Sequence, residues 1–189
     1  MDRVLAWIRA FLWKSYKNAF SEKAKQSTSY NKRPPIVEYI IAPKEQAGVP
    51  NNITITQKDI REIQLAKAAI YTGISILLRT FEKSTKDLKR IYVAGAFGSY
   101  INPLNAQIIG LFPEINLSKF EIIGNSAGTG ARMVLLSQTK RKEAIELARK
   151  IQYIELSTSP WFKEEFTNGM FLPHKDIQQF PQVMKLLNK

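Results

Sequence analysis

Two segments of this chain each run from an apolar strand into a glycine-rich turn and then a helix, and they constrain the fold more than any other feature. Ile91-Tyr92-Val93-Ala94 leads into Gly95-Ala96-Phe97-Gly98, and Phe120–Ile123 leads into Gly124-Asn125-Ser126-Ala127-Gly128-Thr129-Gly130. Glycine tolerates φ > 0 and lets backbone approach a ligand closely. Free N–H groups at the following helix start can then face a phosphate or a ribose hydroxyl. Neither segment is a P-loop, since no Gly-Lys-Ser/Thr follows, and neither has the spacing of the dinucleotide fingerprint. A tight strand-to-helix turn also uses glycine for packing alone, so one such turn by itself leaves both readings open.

The surrounding pattern alternates strand and helix. Ile36–Ala42 and Ile53–Ile55 read as strands. Thr56 with Asp59 three residues later is a capping-box signal. The helix it opens, Gln57–Glu82, presents Ile60, Ile63, Lys67, Ile70, Ile74, Leu77, Leu78 and Phe81 near one face. Pro103 suits the first turn of a helix over Leu104–Ile109, with Asn102 before it and Gly110 closing it. Further helices are expected at Ala131–Ser137, Arg141–Lys150 and Pro160–Thr167, and strands at Ile151–Leu156 and Met170–Leu172. Alternation of this kind predicts an α/β domain.

The compact domain is expected over residues 36–176, with 177–189 as a C-terminal tail. Residues 21–35 are polar, aperiodic and end in Pro34-Pro35, which marks a linker. Residues 1–20 read as an amphipathic helix, with Val4, Leu5, Trp7, Ile8, Phe11 and Leu12 on one face and Arg3, Arg9, Lys14 and Lys17 opposite. Arg9 interrupts any run long enough to cross a bilayer or serve as a secretory core. That leaves a helix docked on a partner subunit, or a membrane-surface contact through residues 1–17.

Composition narrows the chemistry. The 189 residues include no cysteine and one histidine. Disulfides, thiolate catalysis and cysteine-ligated iron–sulfur clusters are thereby excluded within the chain, and so is any multi-histidine metal site. The lack of disulfides fits a cytoplasmic protein, membrane-associated if the N-terminal helix binds lipid. Net charge is 28 − 16 = +12, spread along the chain, which fits salt-sensitive contact with acidic partners, nucleic acid or anionic lipid, and fits a generally basic proteome without any such contact. Nucleic acid is disfavoured because basic and aromatic residues are not interleaved. Asp59, Arg61, Glu62 and Lys67 read as solvent-facing charges of the long helix, and His174 as a surface or capping residue. Trp161 and Phe162 read as anchors of their helix. Adjacent Glu164 and Glu165 point in different directions on a helix and form no catalytic pair.

Taken in order, ITITQKDIREIQLAKAAIYTGISILL, IYVAGAFGSYINPLNAQIIGLFPEI, IIGNSAGTGARMVLLS and IQYIELSTSPWFKEEF closely resemble the C-terminal part of the reductive activators of corrinoid proteins, the RACo-type activases. The likeness covers about Glu38 to His174. It implies an actin-like, RNase H-like half-domain of the acetate and sugar kinase, heat-shock chaperone and actin (ASKHA) superfamily. It further implies ATP as cofactor, with Gly95 and Ala96 as the adenosine motif, Ala96 standing where the wider superfamily has a second glycine. Phe97, Gly98 and Ser99 would border the adenosine, and Gly124, Asn125 and Gly128 would line its opposite side. Members of the family use ATP to drive one-electron reduction of Co(II) corrinoid on a partner protein, with electrons from a [2Fe–2S] ferredoxin-like domain. The resemblance reaches neither that domain nor the phosphate-gripping half of the ATPase. The expectation is a truncated or split subunit that supplies the adenosine side of the cleft, lacks catalysis alone, and works with a corrinoid protein and a separately encoded activase half carrying the ferredoxin-like domain. The alternative is a non-catalytic module of the same fold that docks a corrinoid protein, a partner subunit or a membrane surface.

Overall fold

The structure, a computed structural model, describes residues 38–187. The expected N-terminal helix, the linker and the first two residues of the first strand lie outside the described residues. The chain divides into two units, one running up to Ala66 and resuming at Met184, the other spanning Lys67–Val183.

In the first unit, β1 (Glu38–Ala42) and β2 (Ile53–Thr56) form an antiparallel pair, with Glu38 opposite Thr56 and Ile40 opposite Thr54, and an irregularity before Ala42. A short helix, α1 (Lys44–Ala47), fills the connection and ends at Gly48, whose φ of +65° is the left-handed geometry that favours glycine. Then α2 (Gln57–Thr80) begins. The expected capping box forms: the Thr56 N–H and hydroxyl both donate to Asp59 Oδ2, at 2.8 and 2.7 Å, and the Asp59 N–H donates back to Thr56 Oγ1 at 3.2 Å.

The second unit holds the glycine segments. Here β3 (Ile91–Ala94) and β4 (Phe120–Gly124) pair in parallel. Each leads into a helix, α3 (Gly95–Tyr100) and α5 (Ser126–Leu136), and α4 (Pro103–Ile108) lies between them. Asn102 caps α4 by accepting the Asn105 N–H at 3.1 Å, as the Asn-Pro pair predicts. Val93, Ala106, Leu111 and Phe112 form the core here, packed by Ile74, Ile91, Ile101, Ile109 and Phe120. Each fully buried aliphatic or aromatic side chain contributes roughly 1.5–3 kcal/mol. Beyond lie α6 (Gln138–Lys150), α7 (Phe162–Gly169) and α8 (Pro181–Leu187). Residues from 177 onward continue to pack, with Phe180 and Val183 buried. The Glu114 carboxylate accepts the N–H groups of Gln182 and Val183 at 2.8 and 3.0 Å, which satisfies two free donors at the start of α8.

Several expectations are corrected. Ile151–Glu155 is extended but unpaired and runs into a 3-10 turn at Leu156–Thr158, and Met170–Leu172 is a turn. Both are apolar runs of strand-like composition with no neighbouring strand to bond, and propensity alone does not make a strand. Helix α5 starts five residues before the expected Ala131, because the glycines there are tolerated inside the first turns. The buried side of α2 is also displaced. Ala68, Tyr71, Thr72 and Ile76 are buried, whereas Ile63, Ile70, Leu77 and Phe81 stay exposed. A helix with apolar residues on more than one side suits cover from more than one side.

Candidate functional site

The β3–β4 register places Ala94 opposite Gly124, so both glycine turns open at the same edge of the pair, the carboxyl ends of two parallel strands. In open α/β sheets that edge is where ligands sit. Gly95 has φ of +88° and Gly124 of +61°, and a Cβ built on either would meet no atom within 4 Å. Their glycine character is explained by backbone conformation and leaves open space in front of the chain. The two helix starts then present first-turn N–H groups at this edge.

The other glycines have inward reasons. Gly98 is buried, and a Cβ there would stand 2.8 Å from Val93 Cγ1. It allows α3 to lie on its own strand. At Gly128 a Cβ would meet Asn125 Nδ2 at 2.8 Å. The Gly128 N–H donates to Asn125 Oδ1 at 2.9 Å, so Asn125 is the N-cap of α5 and Gly128 makes room for it. The Thr129 hydroxyl adds a bond to the Asn125 carbonyl at 3.1 Å. Ala96 and Ser99 are exposed, and the Ser99 hydroxyl donates to the Gly95 carbonyl at 3.0 Å. Phe97 belongs to α3 by its backbone. The structure thus brings Gly95, Ala96, Gly124 and Asn125 to one edge, while Gly98 faces the interior.

Replacing Asn125 by alanine is expected to cost about 1 kcal/mol through loss of the cap. Chemical denaturation of the full chain checks it, and an unchanged midpoint would show that the bond contributes nothing.

Two buried polar residues escaped the sequence reading. Lys67, read as a solvent-facing charge, is only 1% exposed, and its Nζ donates to the carbonyls of Phe171 and, at 2.6 Å, Pro173. Burial pulls its pKa down from 10.5 to about 7. His174, read as a surface or capping residue, is buried against Tyr71 with ring centroids 4.9 Å apart. Its Nδ1 accepts the Asp176 N–H at 3.1 Å, and burial lowers its pKa. The only hint in the sequence was the place of Lys67 among the apolar positions of its helix. Elsewhere, Arg79 pairs with Glu165 at 3.1 Å and lies 5.3 Å from the Trp161 ring centroid, holding α7 to α2. A cavity of about 310 Å³ is lined by residues of α2 and the segment after it, among them Arg79, Lys83 and Thr85, together with Pro113, Glu114 and Gln179, and by neither glycine turn.

Among the described residues no group of three or more His, Asp or Glu could hold a metal ion, and no helix is long and apolar enough to cross a membrane.

The fold and site define a mixed α/β domain with two strand–glycine–helix turns opening side by side. The chain belongs to the family described as the C-terminal domain of RACo, the ASKHA domain, whose model matches residues 4–184. It is 48% identical over 121 residues to the corrinoid activation enzyme RamQ of Eubacterium limosum, covering 64% of this chain and 20% of that one. It is 30% identical over 143 residues to the [Co(II) methylated amine-specific corrinoid protein] reductase of Methanosarcina barkeri, covering 71% and 25%. A solved reductive activator for corrinoid, iron–sulfur protein superimposes with a TM-score of 0.70 at 39% identity, covering 77% of this chain and 23% of that one. The chain therefore spans between a fifth and a quarter of the length of these relatives.

Proposed function

We propose that this chain forms the adenosine side of the ATP cleft of a corrinoid-protein activator. The observation that carries the reading is the pair of positive-φ glycines, Gly95 and Gly124, at adjacent strand ends with nothing in front of either. ATP fits this edge: a planar base and ribose need close approach to backbone, and these two positions allow it without side chains in the way. Ala96 adds only a methyl group beside Gly95. The first turn of α5, held by Asn125, offers fixed N–H groups on the opposite side. Bound ATP would supply free energy for the reduction of a Co(II) corrinoid protein, the activity that one relative's name states.

This chain binds and orients; it does not by itself complete the reaction. Phosphoryl transfer needs a phosphate clamp, a metal and a positioned water together, and the glycine edge carries none of the acidic or basic groups for those roles. With no cysteine in the chain, the thiolates of an iron–sulfur cluster also come from outside these 189 residues. The proposed partner is a corrinoid protein.

Calorimetry of the full chain with ATP and ADP, alone and with the complementary activator half, tests the reading. Adenine nucleotide binding is expected, and Gly124→Ala is expected to weaken it at least about tenfold. The cost in stability should be only about 1 kcal/mol, because the new methyl enters open space in a strained backbone conformation. Wild-type chain that gives no heat with either nucleotide in either setting sinks the proposal.

A further inference from the structure

His174 is the chain's single histidine and lies only 4% exposed, within a segment that folds back onto α2. Hydrogen bonds hold that segment, residues 171–176, in place. The Lys67 amine donates to the Phe171 and Pro173 carbonyls, and the Lys175 N–H donates to the Asn168 carbonyl at 3.0 Å. The Asp176 N–H donates to His174 Nδ1 at 3.1 Å. Because Nδ1 accepts, the proton of the neutral imidazole sits on Nε2. Nε2 is buried and has no hydrogen-bond partner among the described residues.

A second proton has to enter at Nδ1, where it meets the Asp176 N–H. Two donors then face each other and the bond is lost. The Asp176 carbonyl, 3.3 Å from Nδ1, is too distant to replace it well. The groups facing the ring are Lys67 and Tyr71 from α2, Glu165 from α7, and Asp176 from the segment itself. Lys67 repels an imidazolium. Glu165 and Asp176 attract one, but their oxygens are already engaged. Glu165 accepts from Ser75 at 2.8 Å and pairs with Arg79 at 3.1 Å. Asp176 accepts from the Gln178 N–H and from Gln179 Nε2, each at 3.1 Å. A charged ring in this pocket therefore gains no acceptor and loses water, which it recovers by swinging out.

We propose that residues 171–176 form a proton-operated latch, closed on α2 while His174 is neutral and opened locally when His174 takes up a proton. What the segment touches gives the latch its reach. The Pro173 carbonyl lies against Gly110 after α4, and Ala106 of α4 shares a core with Val93, just before the first glycine turn. The direction of the pH effect follows from burial, which holds the closed-state pKa of His174 below its ordinary 6.5. The open segment takes up the proton at about its ordinary value, so closure weakens as pH falls below 6.5. Lys67, with a pKa of about 7, is largely protonated by then and adds little further slope.

Hydrogen exchange and histidine NMR on the full chain between pH 7 and 5 test the latch, independently of the proposed function. The imidazole is expected to titrate with a midpoint below 6.5. From pH 6.5 down to that midpoint, the protection factors of the Lys175 and Asp176 amides should fall by up to about tenfold per pH unit. The amides of Thr72 and Ile76 within α2 should keep theirs. His174→Asn retains a side-chain acceptor for the Asp176 N–H, as in an Asx-turn, but takes up no proton. Its protection factors at Lys175 and Asp176 are expected to stay flat across the range. Wild-type protection at Lys175 and Asp176 that does not change between pH 7 and 5 overturns the latch, whether or not the variant folds. An equal loss at Ile76 overturns it too, since the whole unit would then be opening. A fall that persists in His174→Asn assigns the proton to another group and has the same consequence.

Discussion

Replacing Lys67 by alanine is expected to destabilise the protein by about 3–5 kcal/mol at pH 9, the largest loss among the side-chain truncations considered. Two costs add. The long stem of Lys67 is fully buried, and its removal leaves a cavity. The Phe171 and Pro173 carbonyls also lose their donor, and buried unsatisfied acceptors cost roughly 1–3 kcal/mol. Lys67→Met separates the two, because it keeps most of the volume and removes only the amine. The pH dependence gives a second readout. The folded pKa of about 7 lies below the ordinary 10.5, so between these values the unfolded chain binds a proton that the folded chain does not. Stability therefore rises with pH through this window and is lost as pH falls towards 7, by at most about 1.4 kcal/mol per pH unit. A neutral amine still donates two hydrogens, one for each carbonyl. The wild type is expected to exceed Lys67→Met in urea stability at pH 9, with the gap narrowing towards pH 7. A gap independent of pH would mean that Lys67 keeps its proton throughout. Measurements should stay below about pH 9.5, since Tyr71, raised to about 12 by burial, contributes the opposite slope above the ordinary tyrosine pKa of 10.

Why Lys67 was misread shows what the sequence can carry. Its partners lie 104 and 106 residues along the chain, and no local pattern announces that residues 171–174 fold onto α2. Local devices were legible: Thr56 with Asp59 and Asn102 with Pro103 form the caps their spacing predicts, because each completes itself within a turn. The two strand–glycine–helix segments were legible for the same reason, and their order carried the family. The division of labour among the glycines was not. Gly95, Gly98, Gly124 and Gly128 look alike in sequence. Only the geometry shows that Gly98 accommodates Val93 and Gly128 accommodates Asn125, while Gly95 and Gly124 face open space. Ile151–Leu156 failed as a strand because a strand needs a neighbour, and nothing in its own residues reports one.

Gly110 tests the same C-terminal segment from the other side. It follows α4 with φ of +74°. Its N–H donates to the Gln107 carbonyl at 2.9 Å and the Leu111 N–H to the Ala106 carbonyl at 2.8 Å, the paired bonds of a Schellman cap. A Cβ on Gly110 would lie 1.9 Å from the Pro173 carbonyl oxygen, the acceptor that Lys67 holds. Both the backbone conformation and the packing therefore require glycine here. Gly48 has a similar φ of +65°, but a Cβ there meets nothing within 4 Å. Gly48→Ala is thus expected to cost about 1 kcal/mol, the conformational part alone. Gly110→Ala must in addition push Pro173 away and break the Lys67 clamp, for a total above about 4 kcal/mol. Thermal unfolding of the two variants beside the wild type makes the comparison. Equal losses would show that the segment at Pro173 yields freely to Gly110, and the clamp would then contribute little to the fold.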